Sequence, residues 1–322
     1  MPFMSNLSDS EFDFLFSEIK DSIDGIGKAK ASNIISLRDD FEEFSRIDRE
    51  ELEQKTSLKD RKIDAVLQKL DSIDFTEDIR ILWTEKIILE FLETQYENLE
   101  LIDLEKLDIN VLMIKALGFT TVEEAIEFYV YQRVTRSVVT SWGSGALENL
   151  VKVSGAEEIP GDENVRVQGK AFDMRKKKGD KTYYIQLKSG PNTMNVSMVD
   201  SLNNMIDKIE DKHSDAVGML GMTYGERDQV SSQIRGNLND FDDKALIGEE
   251  FWEFLTDNEN YYYSLISRID EISRESTDKF SKSFLEAVDG KVEELCDEWE
   301  EEYGARGEEG MRKFLDTYTN GN

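Results

Sequence analysis

The chain has few of the residues that build disulfide-linked folds or soft-metal sites. Its 322 residues include one cysteine, Cys296, one histidine, His213, and three prolines. A single cysteine excludes an intrachain disulfide framework and a zinc site made of cysteines. A single histidine excludes a multi-histidine metal site, and a Ser-His-Asp triad would have to use His213.

Two further absences concern location. No apolar run approaches the length of a membrane span, and the first residues, MPFMSNLSDSEFDFLF, lack the basic region of a signal peptide. We therefore expect a cytoplasmic protein with no membrane partner. Its length fits one large or two modest domains, which can bury a core without covalent staples.

The chain is strongly acidic, with 39 Lys and Arg against 69 Asp and Glu and a formal net charge of −30. An acidic surface chiefly keeps a protein soluble. The segment 164–190 is the exception, because it holds eight basic residues and two aspartates. Charges are screened over roughly 8 Å at physiological salt, so a docked polyanion would respond to this segment. Lys176 and Lys177 are therefore candidate DNA contacts, and a solvated turn is the alternative interpretation.

Apolar spacing divides the chain into three regions. Residues 1–140 and 259–322 show helical periodicity, whereas residues 141–258 mix predicted helices and strands. We therefore predict an α/β fold in which a small mixed sheet is flanked by helices, with large helical N-terminal and C-terminal additions. The predicted elements of the middle region are a helix with Ser144 as its N-cap, strands 165–174 and 181–188, a helix 197–212, strands 216–223 and 244–247, and a helix in GEEFWEFL, residues 248–255.

A two-residue turn at Gly179-Asp180 predicts the register of a hairpin. With this turn, Asp173 faces Gln186 on the neighbouring strand, and facing residues have Cβ atoms roughly 5 Å apart. Alternation along the strand brings Tyr184 and Lys188 to the same face of the sheet. The residues predicted to point to the opposite face are Phe172, Met174, Ile185 and Leu187.

A carboxylate, an amide and an ammonium that converge in this way suit phosphodiester hydrolysis. Asp173 is a hard oxygen ligand for Mg²⁺, and the Gln186 side-chain oxygen and the Leu187 backbone carbonyl are further candidates. A bound metal acidifies water and offsets phosphate charge. Lys188 would orient that water or stabilise the developing negative charge. The alternative interpretation is that Asp173 and Gln186 form an ordinary solvent-side pair.

Asp173 followed by Gln186-Leu187-Lys188 resembles the PD-(D/E)xK nuclease signature in its QxK variant. The surrounding sequence resembles the type II restriction endonuclease family whose founding member cuts the interrupted palindrome RGGNCCY. The resembling pieces span roughly residues 141–257 and are GSGALE at 143–148, QLKSG at 186–190, the amphipathic helix after it, QIRGNL at 233–238, and GEEFWEFL at 248–255.

This resemblance implies a Mg²⁺-dependent homodimer, with Mn²⁺ as a possible substitute, that cleaves both strands of double-stranded DNA at a short palindromic site. It also implies a partner DNA methyltransferase that acts on the same site. Asp173 would match the metal-binding aspartate and Lys188 the catalytic lysine. Gln186 stands where many relatives have glutamate, and Glu148 on the upstream helix would supply the missing charge at the metal. Residues 141–258 would form the nuclease core, and the acidic region 259–322 is a candidate dimer surface.

Four more residues are candidate DNA contacts. Arg235 in QIRGN would read guanine or hold a phosphate. Asn192, Thr193 and Asn195 follow the strand that carries Lys188, and the alternative for them is a polar loop that caps the next helix. Three other functions stay open on the sequence: a repair or recombination nuclease with the same core, a catalytically inactive DNA-binding relative, and an acidic interaction protein without DNA affinity.

Overall fold

The computed structural model describes residues 7, 9–38, 40–73, 75 and 78–319. The chain divides into two compact units, one up to Thr84 and the other from Glu85. Within the described ranges, no helix is both long enough and apolar enough to cross a membrane. The division predicted from the sequence, at residues 140 and 258, stays a prediction, and its two ends, 1–6 and 320–322, lie outside the described residues.

The first unit is helical. Its four complete helices are α1 (Asp9–Lys20), α2 (Lys28–Ile35), α3 (Arg49–Lys55) and α4 (Asp60–Asp71). Their apolar faces bury a common cluster that includes Leu15, Leu52 and Val66. Asp48 caps α3 by accepting a hydrogen bond from the backbone N–H of Glu51, which satisfies a donor that the helix leaves free.

The second unit combines a helical part with a sheet. The helices outside the sheet region are α5 (Ile79–Glu100), which begins just before the unit boundary, α6 (Val111–Leu117), α7 (Val122–Ser141), α8 (Leu147–Val153), α13 (Tyr261–Phe280), α14 (Phe284–Tyr303) and α15 (Gly307–Thr319). One hydrophobic cluster contains Ile126 and Val130 of α7 together with Leu295 and Trp299 of α14. Helices that are distant in sequence therefore share one core.

Helix α7 continues into α8 through a π-helical turn, Trp142–Ala146. The backbone N–H of Leu147 donates to the carbonyl of Trp142, five residues earlier, as a π-helix requires. The prediction that Ser144 begins a helix is therefore wrong. The Ser144 hydroxyl donates instead to the carbonyl of Thr140, 2.8 Å away, inside a continuous helix. The reason is that Gly143 and Gly145, which look like a break in the sequence, are accommodated by the wider turn.

The sheet has four strands in the order β1-β2-β3-β4, namely β1 (Met174–Lys178), β2 (Lys181–Lys188), β3 (Ala216–Met222) and β4 (Ala245–Ile247). β1 pairs antiparallel with β2, whereas the β2–β3 and β3–β4 pairs are parallel. The helices of this region are α9 (Val196–Lys212), α10 (Ser232–Asn237), α11 (Phe241–Lys244) and α12 (Glu249–Thr256). This is the mixed sheet with flanking helices that the sequence predicted.

One predicted strand is misplaced. The prediction gave a strand at 165–174, but β1 begins only at Met174. Gln168 and Gly169 both have positive φ, 51° and 79°, and reverse the chain between Val167 and Lys170. The alternating valines before that reversal therefore belong to a tight turn and not to a strand.

Both faces of the sheet are covered. Tyr184 of β2 and Leu220 of β3 share a buried cluster with Val199 of α9. On the other face, a Cβ atom added at Gly221 would lie 2.9 Å from Cγ2 of Ile185 and would also collide with the ring of Phe251 on α12. The prediction that Phe172 points away from Tyr184 is wrong, because their ring centroids are 6.0 Å apart. Phe172 precedes β1, so strand alternation does not govern it.

Candidate active site

The hairpin register brings Asp173 and Gln186 together, as the turn predicted. Met174 pairs with Ile185 and Lys178 with Lys181. The backbone N–H of Asp173 donates to the carbonyl of Ile185 at 3.0 Å, which extends the pairing by one residue beyond β1. The side-chain amide of Gln186 donates to Oδ2 of Asp173. The Asp173–Gln186 contact is thus a consequence of the two-residue turn at the other end of the hairpin.

The Asp173 carboxylate has a second donor, the backbone N–H of Leu187, 2.7 Å from Oδ2. Burial of the carboxylate raises the pKa of Asp173, and the hydrogen bond from Leu187 and the charge of Lys188 act against this shift. The Asp173 residue still keeps exposed surface, whereas Gln186 is only 8% exposed. The carboxylate therefore lies at the boundary between core and solvent, where a ligand can reach it.

Lys188, at the end of β2, is half-buried, and its ammonium donates to the carbonyl of Leu187 at 2.9 Å. Burial lowers the pKa of Lys188, although the negative charges of Asp173 and Glu148 act to raise it. Desolvation therefore outweighs the attraction of two acids. A lysine in this state holds its proton less firmly than a surface lysine and interacts strongly with any negative charge that arrives.

Glu148 lies in the first turn of α8, directly after the π-helical turn. Burial raises the pKa of the Glu148 carboxyl, and the charge of Asp173 raises it further, while Lys152 and Lys188 act to lower it. The structure therefore places Glu148 within electrostatic reach of both Asp173 and Lys188. It reaches them because α7 and α8 form one continuous helix that ends beside the sheet.

The donor set fits a hard divalent cation. Two carboxylates, Asp173 and Glu148, each have a raised pKa, because burial disfavours their ionised forms. A nearby positive charge would stabilise the ionised form of both. Mg²⁺ is typically held by one or two carboxylates and keeps several waters. Among the residues that the structure describes, no group of three or more His, Cys, Asp or Glu is arranged as a metal site. Any cation here must accordingly use neutral oxygens and water as well.

The two neutral oxygens predicted as further metal ligands belong to Gln186 and Leu187, and the structure does not turn them toward a metal position beside Asp173. Gln186 turns its NH₂ group, not its oxygen, toward Asp173, and the Leu187 carbonyl accepts from Lys188. A half-turn of the Gln186 amide would exchange these two ends. The metal-binding roles of Gln186 and Leu187 therefore stay predictions.

The loop after β2 holds three of the candidate DNA contacts. Asn195 is the N-cap of α9, because its side chain accepts from the backbone N–H of Met198 at 3.0 Å. Thr193 donates its hydroxyl to the carbonyl of Gly190 at 2.7 Å. Asn192 is exposed, with no hydrogen bond to any residue that the structure describes. Asn192 is thus the one of the three whose side chain is fully available to a ligand.

Arg235 is exposed on α10 and makes no ion pair with the described part of the chain. It lies in the last turn of this short helix. Ser231 caps that helix and Ile234 anchors it in the cluster beneath α9. The predicted contact of Arg235 with DNA stays a prediction.

Most basic side chains of β1 bind carboxylates or carbonyls of the protein itself. Arg175 forms ion pairs with Glu157 and Glu163, and Lys178 with Asp257 at 2.5 Å. Lys176 donates its ammonium to the carbonyl of Leu255 at 2.7 Å. These contacts neutralise much of the basic segment that the sequence indicated as a DNA surface. Lys177 is exposed and has no ion pair within the described ranges.

Sequence reasoning did not single out Lys170, which the structure places near the site. Lys170 is exposed, and its positive charge lowers the pKa of Lys188. The available signal was the Gln168-Gly169 pair, which is typical of a tight turn and lies just before Asp173. The prediction of a strand over the same residues concealed that signal.

Comparison with known families gives one match. Residues 78–277, 200 of the 322, match the family model described as type II restriction endonuclease EcoO109I. The matched range includes the helix that carries Glu148, the β1–β2 hairpin and all four strands. No individual curated protein matched the chain.

Proposed function

We propose that this chain, which belongs to the type II restriction endonuclease EcoO109I family, cleaves both strands of DNA at a short palindromic site with Mg²⁺ held at Asp173. As a member of that family it is a site-specific deoxyribonuclease, and the family generally uses divalent metal ions such as Mg²⁺. The observation that carries the proposal is the convergence of Asp173, Gln186 and the half-buried Lys188 at one end of the hairpin.

In this proposal Asp173 and Glu148 hold the metal. Their raised pKa values mean that each carboxylate lacks a full counter-charge in the protein alone. A bound Mg²⁺ would supply positive charge beside the scissile phosphate and would lower the pKa of a coordinated water. The donors from Leu187 and Gln186 fix one Asp173 oxygen and leave the other without a hydrogen-bond partner among the described residues.

Lys188 is proposed to orient the attacking water and to stabilise negative charge that develops on the phosphate. Its ammonium is anchored by the Leu187 carbonyl, so it is already positioned before substrate arrives. Because the group is desolvated, its attraction to phosphate is greater than that of a surface lysine. Electrostatic preorganisation of this kind is worth roughly 10²–10³ in rate when a single donor is removed.

Gln186 is proposed to replace the glutamate of many relatives. A glutamate there would place a third carboxylate next to Asp173 and Glu148, at an electrostatic cost in the absence of metal. Gln186 avoids that cost and instead donates a hydrogen bond to Asp173. The expected consequence is a weaker metal site that still needs only one or two carboxylates.

A palindromic target requires a two-fold symmetric protein, so we propose that the active form is a homodimer. The helical regions outside the sheet are the candidate dimer surface, and sedimentation of the purified chain would show its oligomeric state.

We further propose that a DNA methyltransferase acting on the same site protects the host DNA. The sequence RGGNCCY is the first target to test, and the contacts proposed for Arg235 and Asn192 would contribute to its recognition.

The test is digestion of unmethylated phage DNA with Mg²⁺ beside an EDTA control. Discrete bands in the Mg²⁺ lane alone are expected, and mapping their ends would identify the site. A smear would favour a repair or recombination nuclease. Intact DNA in Mg²⁺ and in Mn²⁺, together with salt-sensitive binding, would favour a catalytically inactive DNA-binding relative.

A further inference from the structure

A short arm, residues 164–172, leads directly to Asp173. Val167 and Lys170 pair through two backbone hydrogen bonds of 2.9 and 3.0 Å. Between them, Gln168 and Gly169 have the positive φ values of a type I′ turn. A non-glycine residue with positive φ is uncommon and persists only where the surrounding structure imposes it. The tip of this arm therefore has a single defined conformation.

The base of the arm is fixed by side chains. The side-chain amide of Asn164 donates to the carbonyl of Phe172 at 2.9 Å and accepts from the backbone N–H of Phe172 at 3.3 Å. It thus makes the two backbone hydrogen bonds that a neighbouring strand would make. The ammonium of Lys212 donates to the carbonyls of residues 162, 163 and 164. Val167, only 7% exposed, anchors the middle of the arm in the cluster beneath α9. An arm held at its base and its middle can place a side chain accurately.

Three polar residues of this arm face solvent. Arg166, Gln168 and Lys170 are exposed, and none of their side chains forms a hydrogen bond or ion pair with any residue that the structure describes. By contrast, Arg175 and Lys178, a few residues later, are both paired with carboxylates. Free cations on a rigid arm beside the site are available to an anionic ligand.

Lys170 is the member of this set that lies nearest to Asp173 along the chain. The two are three positions apart, so their Cα atoms are at most about 11 Å apart. Neither Asp173 nor Glu148, the two acids of the site, forms an ion pair with Lys170. The Lys170 ammonium is therefore available to a phosphate group bound beside the site.

We propose that Lys170 binds a DNA phosphate adjacent to the scissile one, and that the 164–172 arm thereby positions the duplex over Asp173 and Lys188. This inference rests on the proposed function, since it names a further contact of the same substrate. The contact is electrostatic and independent of sequence, so it contributes to affinity for specific and nonspecific DNA alike.

The experiment measures binding of a duplex that contains the mapped cleavage site, in EDTA, over a series of salt concentrations. Lys170→Ala is compared with wild type and with Lys170→Arg. The matched control is Lys208→Ala, which removes an exposed, unpaired lysine far along α9. For a dimer that loses two phosphate contacts, the slope of log K against log salt should fall by about 1.8 for Lys170→Ala. Lys170→Arg and Lys208→Ala should keep the wild-type slope.

Thermal unfolding of Lys170→Ala should match wild type, because the side chain makes no bond to the described protein. A wild-type slope for Lys170→Ala would overturn the inference while leaving the proposed function in place. A slope that fell equally for Lys208→Ala would also overturn it, because general charge would then explain the effect. Wild-type protein that neither bound nor cut DNA would overturn both.

Discussion

Charged side chains have different environments at the two ends of the β1–β2 hairpin. At the turn end, Lys178 forms an ion pair with Asp257, and Lys176 donates to the carbonyl of Leu255. At the open end, Asp173 and Lys188 are desolvated, and the pKa of each is shifted toward the neutral form. Strands of the same hairpin thus stabilise the fold at one end and expose reactive groups at the other.

The difference between the two ends has an energetic meaning. An ion pair at the surface forms at little cost, because solvent screens both partners. A partly buried charge without a full counter-charge destabilises the fold, and such sites commonly trade stability for function. Substitutions at the open end should therefore affect cleavage strongly, and those at the turn end should affect only stability.

The largest effect is expected from Asp173→Ala and Lys188→Ala. Each should reduce the rate of DNA cleavage by at least about 10²-fold, because one removes a metal ligand and the other the preorganised cation. The measurement is single-turnover cleavage of a duplex containing the mapped site. Lys178→Ala at the turn end is the matched control and should cleave at the wild-type rate. Full activity of either open-end variant would refute the site assignment.

Gln186→Glu is expected to have a smaller effect, which strengthens metal binding in Mg²⁺ and destabilises the fold in EDTA. The added carboxylate strengthens the metal site, so the Mg²⁺ concentration for half-maximal cleavage should fall by about tenfold. In EDTA the same variant should be less stable by about 2 kcal/mol, since a buried charge then lies beside Asp173. Cleavage titrations and urea denaturation measure the two quantities. An unchanged Mg²⁺ requirement would show that residue 186 does not contact the metal.

At the turn end, Lys176→Met should reduce stability by about 1.5 kcal/mol through the loss of its charge-assisted hydrogen bond to Leu255. The apolar stem is retained, so packing changes little. DNA binding should be unaffected if this lysine serves the fold alone. Urea denaturation and a salt-dependent binding series measure both. A lower salt slope would instead support the DNA contact that the sequence predicted for Lys176.

The smallest change in stability is expected from Asp173→Asn, which should stabilise the fold slightly in EDTA at pH 7, although the same change abolishes cleavage. The pKa of Asp173 is higher in the folded state than in the unfolded state, so ionisation of its carboxyl destabilises the fold at pH values above the folded pKa. This destabilisation disappears as the pH falls below the unfolded pKa of about 3.9, because the carboxyl is then protonated in both states. Wild type and variant should therefore converge toward pH 4 in denaturation curves. Equal stability at pH 7 would show that the Asp173 carboxylate is fully compensated without metal.

The sequence predicted the parts of the hairpin that depend on local rules. The turn at Gly179-Asp180 determined which residues face each other, and strand β2 was predicted with its observed ends, Lys181–Lys188. Helix α9 was predicted within one residue of its start. The errors occurred at glycines. Gly143 and Gly145 lie inside a helix, and Gly169 reverses the chain within a predicted strand.

By itself the sequence determined the signature Asp173–Gln186–Lys188 and the register that unites it, because hairpin pairing needs only a turn and alternation. Only the tertiary structure decided which charges are free. Lys176 and Lys178 meet partners on the α12 side, 79 residues away in each case, whereas Lys170 meets none among the described residues. The reason is that the energy of a charge depends on burial and on neighbours from distant segments, which spacing along the chain does not specify.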